Sequence, residues 1–170
     1  AGFSHLYGTE LVEFIEEVGY PWFRVGVVVR NAEGKYLCVK ERPGWKKVSG
    51  RWNLPGGQVD ADEDIFKAAV REVYEETGCK IRLIGVCQIG QLLDRNNPYI
   101  MVTFVGTLVD STENFDPTET ERAGWLSREE IEELDQAGEI RNHDFMVKSI
   151  RNYASGIISP LGIVDIYTRR

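Results

Sequence analysis

From Trp22 to Arg30 the chain carries Phe23, Val25, Val27, Val28 and Val29, an apolar, β-branched run, and a second such run spans Lys35 to Glu41. Between them Asn31-Ala32-Glu33-Gly34 is a turn cluster, so the pattern predicts a hairpin. Ahead of it, Leu11, Phe14, Ile15 and Val18 recur at helical spacing between Thr9 and Gly19, which predicts an amphipathic helix over about 10–18. Trp52 and Leu54 read as a short strand closed by Pro55-Gly56-Gly57, after a polar loop, 44–50, that holds Trp45, Lys46 and Lys47.

Residues 64–77 follow as a helix, with Asp62 or Asp64 placed to cap it and Gly78 at its C′ position. Two longer strands are expected over 82–93 and 99–109, joined by the turn Asp94-Arg95-Asn96-Asn97-Pro98. Ser127-Arg128-Glu129-Glu130 has the form of a capping box opening a helix over about 128–136, and 144–153 has the period of another. Strands flanked by helices before, between and after them predict an α/β fold, a mixed β-sheet sandwiched between helices (an α/β/α sandwich), in a single domain covering 1–170.

Composition narrows the function more than the fold. A length of 170 residues with 42% apolar side chains suits one core. The net charge of −7 argues against polymeric DNA or RNA as a partner, since such proteins carry basic patches. No apolar run approaches the roughly 20 residues that span a bilayer, and the start lacks the pattern of a signal peptide, so the reading is soluble and cytoplasmic. Cys38, Cys79 and Cys87 are isolated among apolar neighbours, which is neither a zinc spacing nor a disulfide framework. Neither His5 nor His143 has an obvious partner for nucleophilic catalysis.

The candidate chemistry lies in the helix after Gly57. Glu72, Glu75 and Glu76 stand at i, i+3 and i+4, so three carboxylates share a wedge of roughly 100°. Like charges so placed cost about 0.2–0.5 kcal/mol per pair, which a cation would offset. Hard divalent ions that bridge phosphate oxygens are held by just such carboxylates. Phe66, Val70 and Val73 lie away from the centre of the wedge, and Ala68 and Ala69 border it, so the other face is expected to anchor in the core while leaving room for a loop. An isolated Glu-x-x-Glu-Glu is more often an ordinary solvated face.

The wider context changes that balance. Gly57, Glu63, Arg71-Glu72, Val73, Glu75-Glu76, Gly78 and Cys79 resemble, at every fixed spacing, the signature of the Nudix hydrolase family over 57–79. The resemblance extends loosely over 22–166, through Trp52, Trp125, Ser149-Ile150-Arg151, Tyr153, Ser155-Gly156 and Pro160-Leu161, toward a phosphatase branch of that family. It implies a Nudix fold in which Glu72, Glu75 and Glu76 bind Mg²⁺ or Mn²⁺, the Gly56 carbonyl adds an oxygen, and Arg71 pairs with Glu63 or with a metal ligand to hold loop against helix.

The implied reaction is attack of water on one phosphorus of a nucleoside di- or triphosphate or a related organic diphosphate, with a box glutamate or Glu121 as base. Oxidised guanine nucleotides and nucleotide sugars are alternative substrates. A different class of function is a diphosphate-binding regulatory module that does not cut its ligand; the intact acids weigh against it. Arg42, Lys47 and Arg51 precede or adjoin the box and are candidates to meet phosphates; Trp45 and Tyr99 are candidates to stack a base. The partner is thus a small diphosphate, with no membrane and no polymeric nucleic acid.

Overall fold

The computed structural model describes residues 22–43, 50–93, 97–111 and 120–167. In chain order the elements are β1 (Trp22–Val29), β2 (Tyr36–Glu41), β3 (Trp52–Asn53), α1 (Ile65–Thr77), β4 (Cys79–Leu92), β5 (Tyr99–Ser111), β6 (Thr120–Leu126), α2 (Arg128–Gln136), α3 (His143–Ala154) and a 3₁₀ turn at Leu161–Ile163. They form two three-stranded sheets. One is mixed, in the order β1-β5-β4, with β1 parallel and β4 antiparallel to β5; the other is antiparallel, in the order β3-β2-β6. The helix expected over 10–18 lies outside the described residues.

The layers follow from strand periodicity. Val25, Val27 and Val29 of β1 share a cluster with Val102 and Phe104 of β5 and with Ala68, Ala69 and Val73 of α1. Val28 and Val105, one residue out of phase, pack instead with Ile131 of α2 and Met146, Val147 and Ile150 of α3. Side chains alternate across a strand, so the mixed sheet is covered by helices on both faces, the sandwich the alternation of elements predicts. Each such Val, Leu or Ile buried stabilises the fold by about 1.5–3 kcal/mol. All three cysteines are buried and free. Burial pushes the Cys87 thiol up to about 11 and the Cys38 thiol higher still, which suits packing rather than reactivity.

Two sequence expectations are corrected. The turn at 31–34 forms, with the Asn31 side chain accepting from the Glu33 and Lys35 amides, but β1 and β2 share only the bridge between Arg30 and Tyr36 before entering different sheets. The cause is competition for an edge: the β1 amides of Val25 and Val27 donate to the carbonyls of Gly57 and Pro55, and Val59 donates to Phe23. The loop 55–59 thus takes the β1 edge that a hairpin would have given to β2. Second, Val70 is exposed and lines an open cleft with Phe66, Tyr74, Ile81 and Leu161, because the face that α1 turns to the core carries Ala68, Ala69, Val73 and Thr77. The strand β6 starts at Thr120, in a stretch without apolar alternation.

The helix α1 ends as its sequence predicts. Asp64 is the N-cap and accepts from the amides of Phe66 and Lys67 at 3.0 and 2.9 Å, and Gly78 closes the helix at φ 70°. The Lys67 amide, first among the causes, holds the Asp64 carboxyl below its ordinary 3.8. A depressed value stabilises the fold above the ordinary pKa and is lost as pH falls through the folded one. Asp64→Ala should therefore cost about 1 kcal/mol at neutral pH. Urea unfolding at a series of pH values checks this: the gap between wild type and variant narrows below about pH 4.

Candidate active site

The site is built where the loop 55–59 crosses α1. Because Pro55 and Gly57 spend their carbonyls on β1, Gly56 between them turns its amide the other way, and that amide donates to Glu76 Oε2 at 2.8 Å. Gly56 has φ 152° and lies so close to β1 that an added Cβ would stand 2.1 Å from the Val25 carbonyl oxygen. Only glycine fits there. At Gly57 an added Cβ would stand 2.4 Å from Oε1 of Glu72. Two consecutive glycines therefore let the backbone reach the carboxylates of Glu72 and Glu76, one turn apart on α1.

Arg71 joins loop and helix. Its Nε and Nη2 donate to the two oxygens of Glu63 at 3.0 and 2.8 Å, its Nη1 to Glu72 at 3.0 Å and Glu75 at 3.1 Å, and Nη2 also to the Gln58 carbonyl at 3.2 Å. The bidentate contact with Arg71 is the chief cause that holds Glu63 below the usual carboxylate range, and the same contact raises the guanidinium. Arg71 was expected to pair with Glu63 or with one of the candidate ligands; it touches Glu63, Glu72 and Glu75.

A lysine could not serve three carboxylates and a carbonyl at once. Arg71→Lys should destabilise the fold by about 1–3 kcal/mol, the range of hydrogen bonds to charged groups, as read from the urea midpoint.

Glu72 and Glu75 both face Arg71, Glu76 faces Gly56, and among the described residues no three acidic, histidine or cysteine side chains converge on one point. The donor set itself suits a hard divalent ion: carboxylate oxygens on one helix turn, with backbone of a glycine loop beside them. The Gly56 contact that the structure forms with this set is through the amide, where the sequence suggested the carbonyl.

The other candidates separate. Glu121 is the extra residue of a β-bulge between β2 and β6, exposed, with Lys40 Nζ at 3.9 Å. Arg42 and Arg51 are exposed at the ends of β2 and β3. Trp45 and Lys47 lie outside the described residues. Tyr99 is a correction: at 5% exposure its ring packs on Phe145 and lies under Arg24, so neither face is offered to a base. Glu41 and Arg141 form an ion pair across 100 positions, for which local pattern gives no signal.

Comparison with known proteins agrees with this geometry. A NUDIX domain family model matches residues 21–147. Phosphatase NudJ of Escherichia coli is 33% identical over 147 residues, 85% of this chain and 90% of that protein, and NudJ of Shigella flexneri matches equally. A NUDIX hydrolase from Nitrosomonas europaea has a TM-score of 0.77 at 29% identity, covering 87% of this chain and 98% of its own. A MutT protein from Methanosarcina mazei, at 23% identity and a TM-score of 0.64 over 81% and 97% of the two chains, shares the fold. With the signature unbroken over 57–79, its glycine loop and acidic helix turn in contact, and the family model spanning most of its length, this chain belongs to the Nudix hydrolase family.

Proposed function

We propose that this hydrolase cuts the phosphoanhydride of a nucleoside di- or triphosphate, or of a related organic diphosphate, with Mg²⁺ as cofactor and Mn²⁺ as its substitute. The observation that carries the reading is the approach of the Glu72 and Glu76 carboxylates to the backbone of Gly57 and Gly56, with Glu75 on the same wedge. Similarity to NudJ, a phosphatase by name, supports a phosphate-releasing reaction.

Glu72, Glu75 and Glu76 would hold the metal, with backbone oxygen of Gly56 as a further donor. A bound divalent ion neutralises charge on the phosphates and makes water a stronger nucleophile. Arg71 keeps the carboxylates together and, through Glu63 and the Gln58 carbonyl, fixes the loop that faces them. Such positioning matters because an error of about 1 Å can cost a hundredfold in rate. Glu121, exposed on its bulge, is the candidate base from outside the box, and a box glutamate is the other. Arg42 and Arg51, with Trp45 and Lys47, remain candidates to receive the phosphates and the organic part.

Phosphate release with and without magnesium, across nucleoside di- and triphosphates, oxidised guanine nucleotides, nucleotide sugars and an aminopyrimidine diphosphate, tests the proposal. Magnesium-dependent release from one class confirms it and names the substrate. Ligand binding without release from any would instead favour the regulatory module. A separate expectation concerns the carboxylates alone: magnesium at millimolar concentration should raise Tm by several degrees, since a ligand at about 100 times its Kd adds roughly 2.7 kcal/mol. Scanning calorimetry with and without chelator reads it, and an unchanged Tm speaks against a preformed site.

A further inference from the structure

Four strands lie at the edges of the two sheets, β1 and β4 in one, β3 and β6 in the other. An edge strand offers unpaired amides and carbonyls to any other chain, so folded proteins cover it, bend it or charge it. Three of these edges are managed in that way. The loop 55–59 bonds along β1, Trp52 of β3 donates to the Glu139 carbonyl and accepts from the Arg141 amide, and β6 carries Glu121, Arg122 and a bulge. The outer edge of β4 is the exception. Among the described residues, backbone meets it at one place, where Val86 and Ser159 exchange hydrogen bonds of 2.9 and 2.8 Å. From Gln88 to Leu92 the strand continues without such a partner.

The side chains along this edge are aliphatic and exposed. Ile84, Ile89 and Leu92 of β4 and Leu93 just beyond it are joined by Ile157 and Ile158, which the Ser159 bridge holds against Gly85; Ile89 is 61% exposed. Neither of the two segments that build this flank, 83–93 and 152–164, contains an Asp, Glu, Lys or Arg. An ordinary protein surface carries about 25–35% charged residues. Depletion of charge around exposed aliphatic side chains is instead the character of an interface core.

We propose that the outer edge of β4 is a dimer interface, on which a second copy of this chain adds its own β4 antiparallel across a two-fold axis. Two chains of net charge −7 repel each other over most of their surface, and this flank is where no acid meets its like. Its lack of charge also leaves nothing to select a charged partner, whereas a strand edge always complements a copy of itself. A two-fold contact of this kind closes on itself, so it ends at the dimer and does not grow into a fibre. The interface is independent of the chemistry proposed for the box.

Sedimentation equilibrium on the full chain tests it. The mass should rise to twice 19.3 kDa with a Kd of about 10 μM or tighter, and added salt should not weaken the association, since no ion pair supports it. Ile89→Lys, a charge placed on the exposed edge, should return the protein to a monomer with its circular dichroism unchanged. Val109→Lys, at an exposed aliphatic position near the other end of the sheet, should leave the dimer intact. Hydrogen exchange should show the amides of 88–92 more protected in the dimer than at dilutions where the chain is monomeric. A monomer up to about 100 μM overturns the proposal, whether those amides exchange freely or are covered by another part of the same chain. So does a dimer that survives Ile89→Lys or that Val109→Lys breaks equally. Should Ile89→Lys fail to fold, Leu93→Lys, just beyond the strand, decides in its place.

Discussion

Glu76→Gln lowers turnover by at least about a hundredfold while the folded state survives. The lower bound comes from metal sites in general, where disturbing even the partners of a ligand costs 10–100-fold. Glu76 accepts from the Gly56 amide, and glutamine keeps an acceptor oxygen of the same reach, so the loop can stay closed on α1. What changes is charge: one of the three carboxylates proposed to hold magnesium becomes neutral. The loss should fall on kcat, with the circular dichroism spectrum and urea midpoint near those of the wild type. Wild-type turnover in a folded Glu76→Gln protein would remove the metal assignment, whatever became of the family assignment.

The two loop glycines should separate stability from activity. At Gly56→Ala the new methyl meets backbone, the Val25 carbonyl oxygen and the Gly26 Cα, at a φ that side chains rarely adopt. Backbone cannot yield without breaking the Val25 and Val27 hydrogen bonds to the loop, so the fold should lose about 2–4 kcal/mol. At Gly57→Ala the methyl meets only the end of a flexible side chain, the Glu72 carboxylate. That carboxylate can swing aside, so stability should change by less than about 1 kcal/mol, while its displacement lowers kcat about a hundredfold. Urea midpoints and kcat on both variants check the pair. Equal effects on both quantities at both positions would mean that the loop does not meet the box as described.

The parts of the fold legible in the chain were those decided within a turn or two of helix. Asp64 and Gly78 bound α1 because an N-cap carboxylate and a left-handed C-cap satisfy orphan backbone groups on the spot. Ser127 and Glu130 start α2 by the same logic, with both reciprocal bonds present. The strands β4 and β5 were visible through their apolar content, though the bulges that shift their register were not. The strand β6 was hidden because Thr120-Glu121-Arg122-Ala123-Gly124 lacks an apolar alternation, its pairing with β2 being what makes it a strand.

For the candidate site the division is similar. The spacing of Glu72, Glu75 and Glu76 by itself determined that three carboxylates share one side of a helix, and the full signature, Gly57 to Cys79, determined the family. Those are consequences of helical period and covalent order. Which face of α1 is buried, that Phe66 and Val70 line a cleft while Ala68 and Ala69 meet β1, depended on how closely the helix approaches the sheet. That β1 gives its edge to residues 55–59 and not to β2, that Tyr99 is core and that Glu41 meets Arg141 were settled only in three dimensions. Backbone edges, burial and ion pairs between distant residues are won by competition among segments, and local sequence records the competitors but not the outcome.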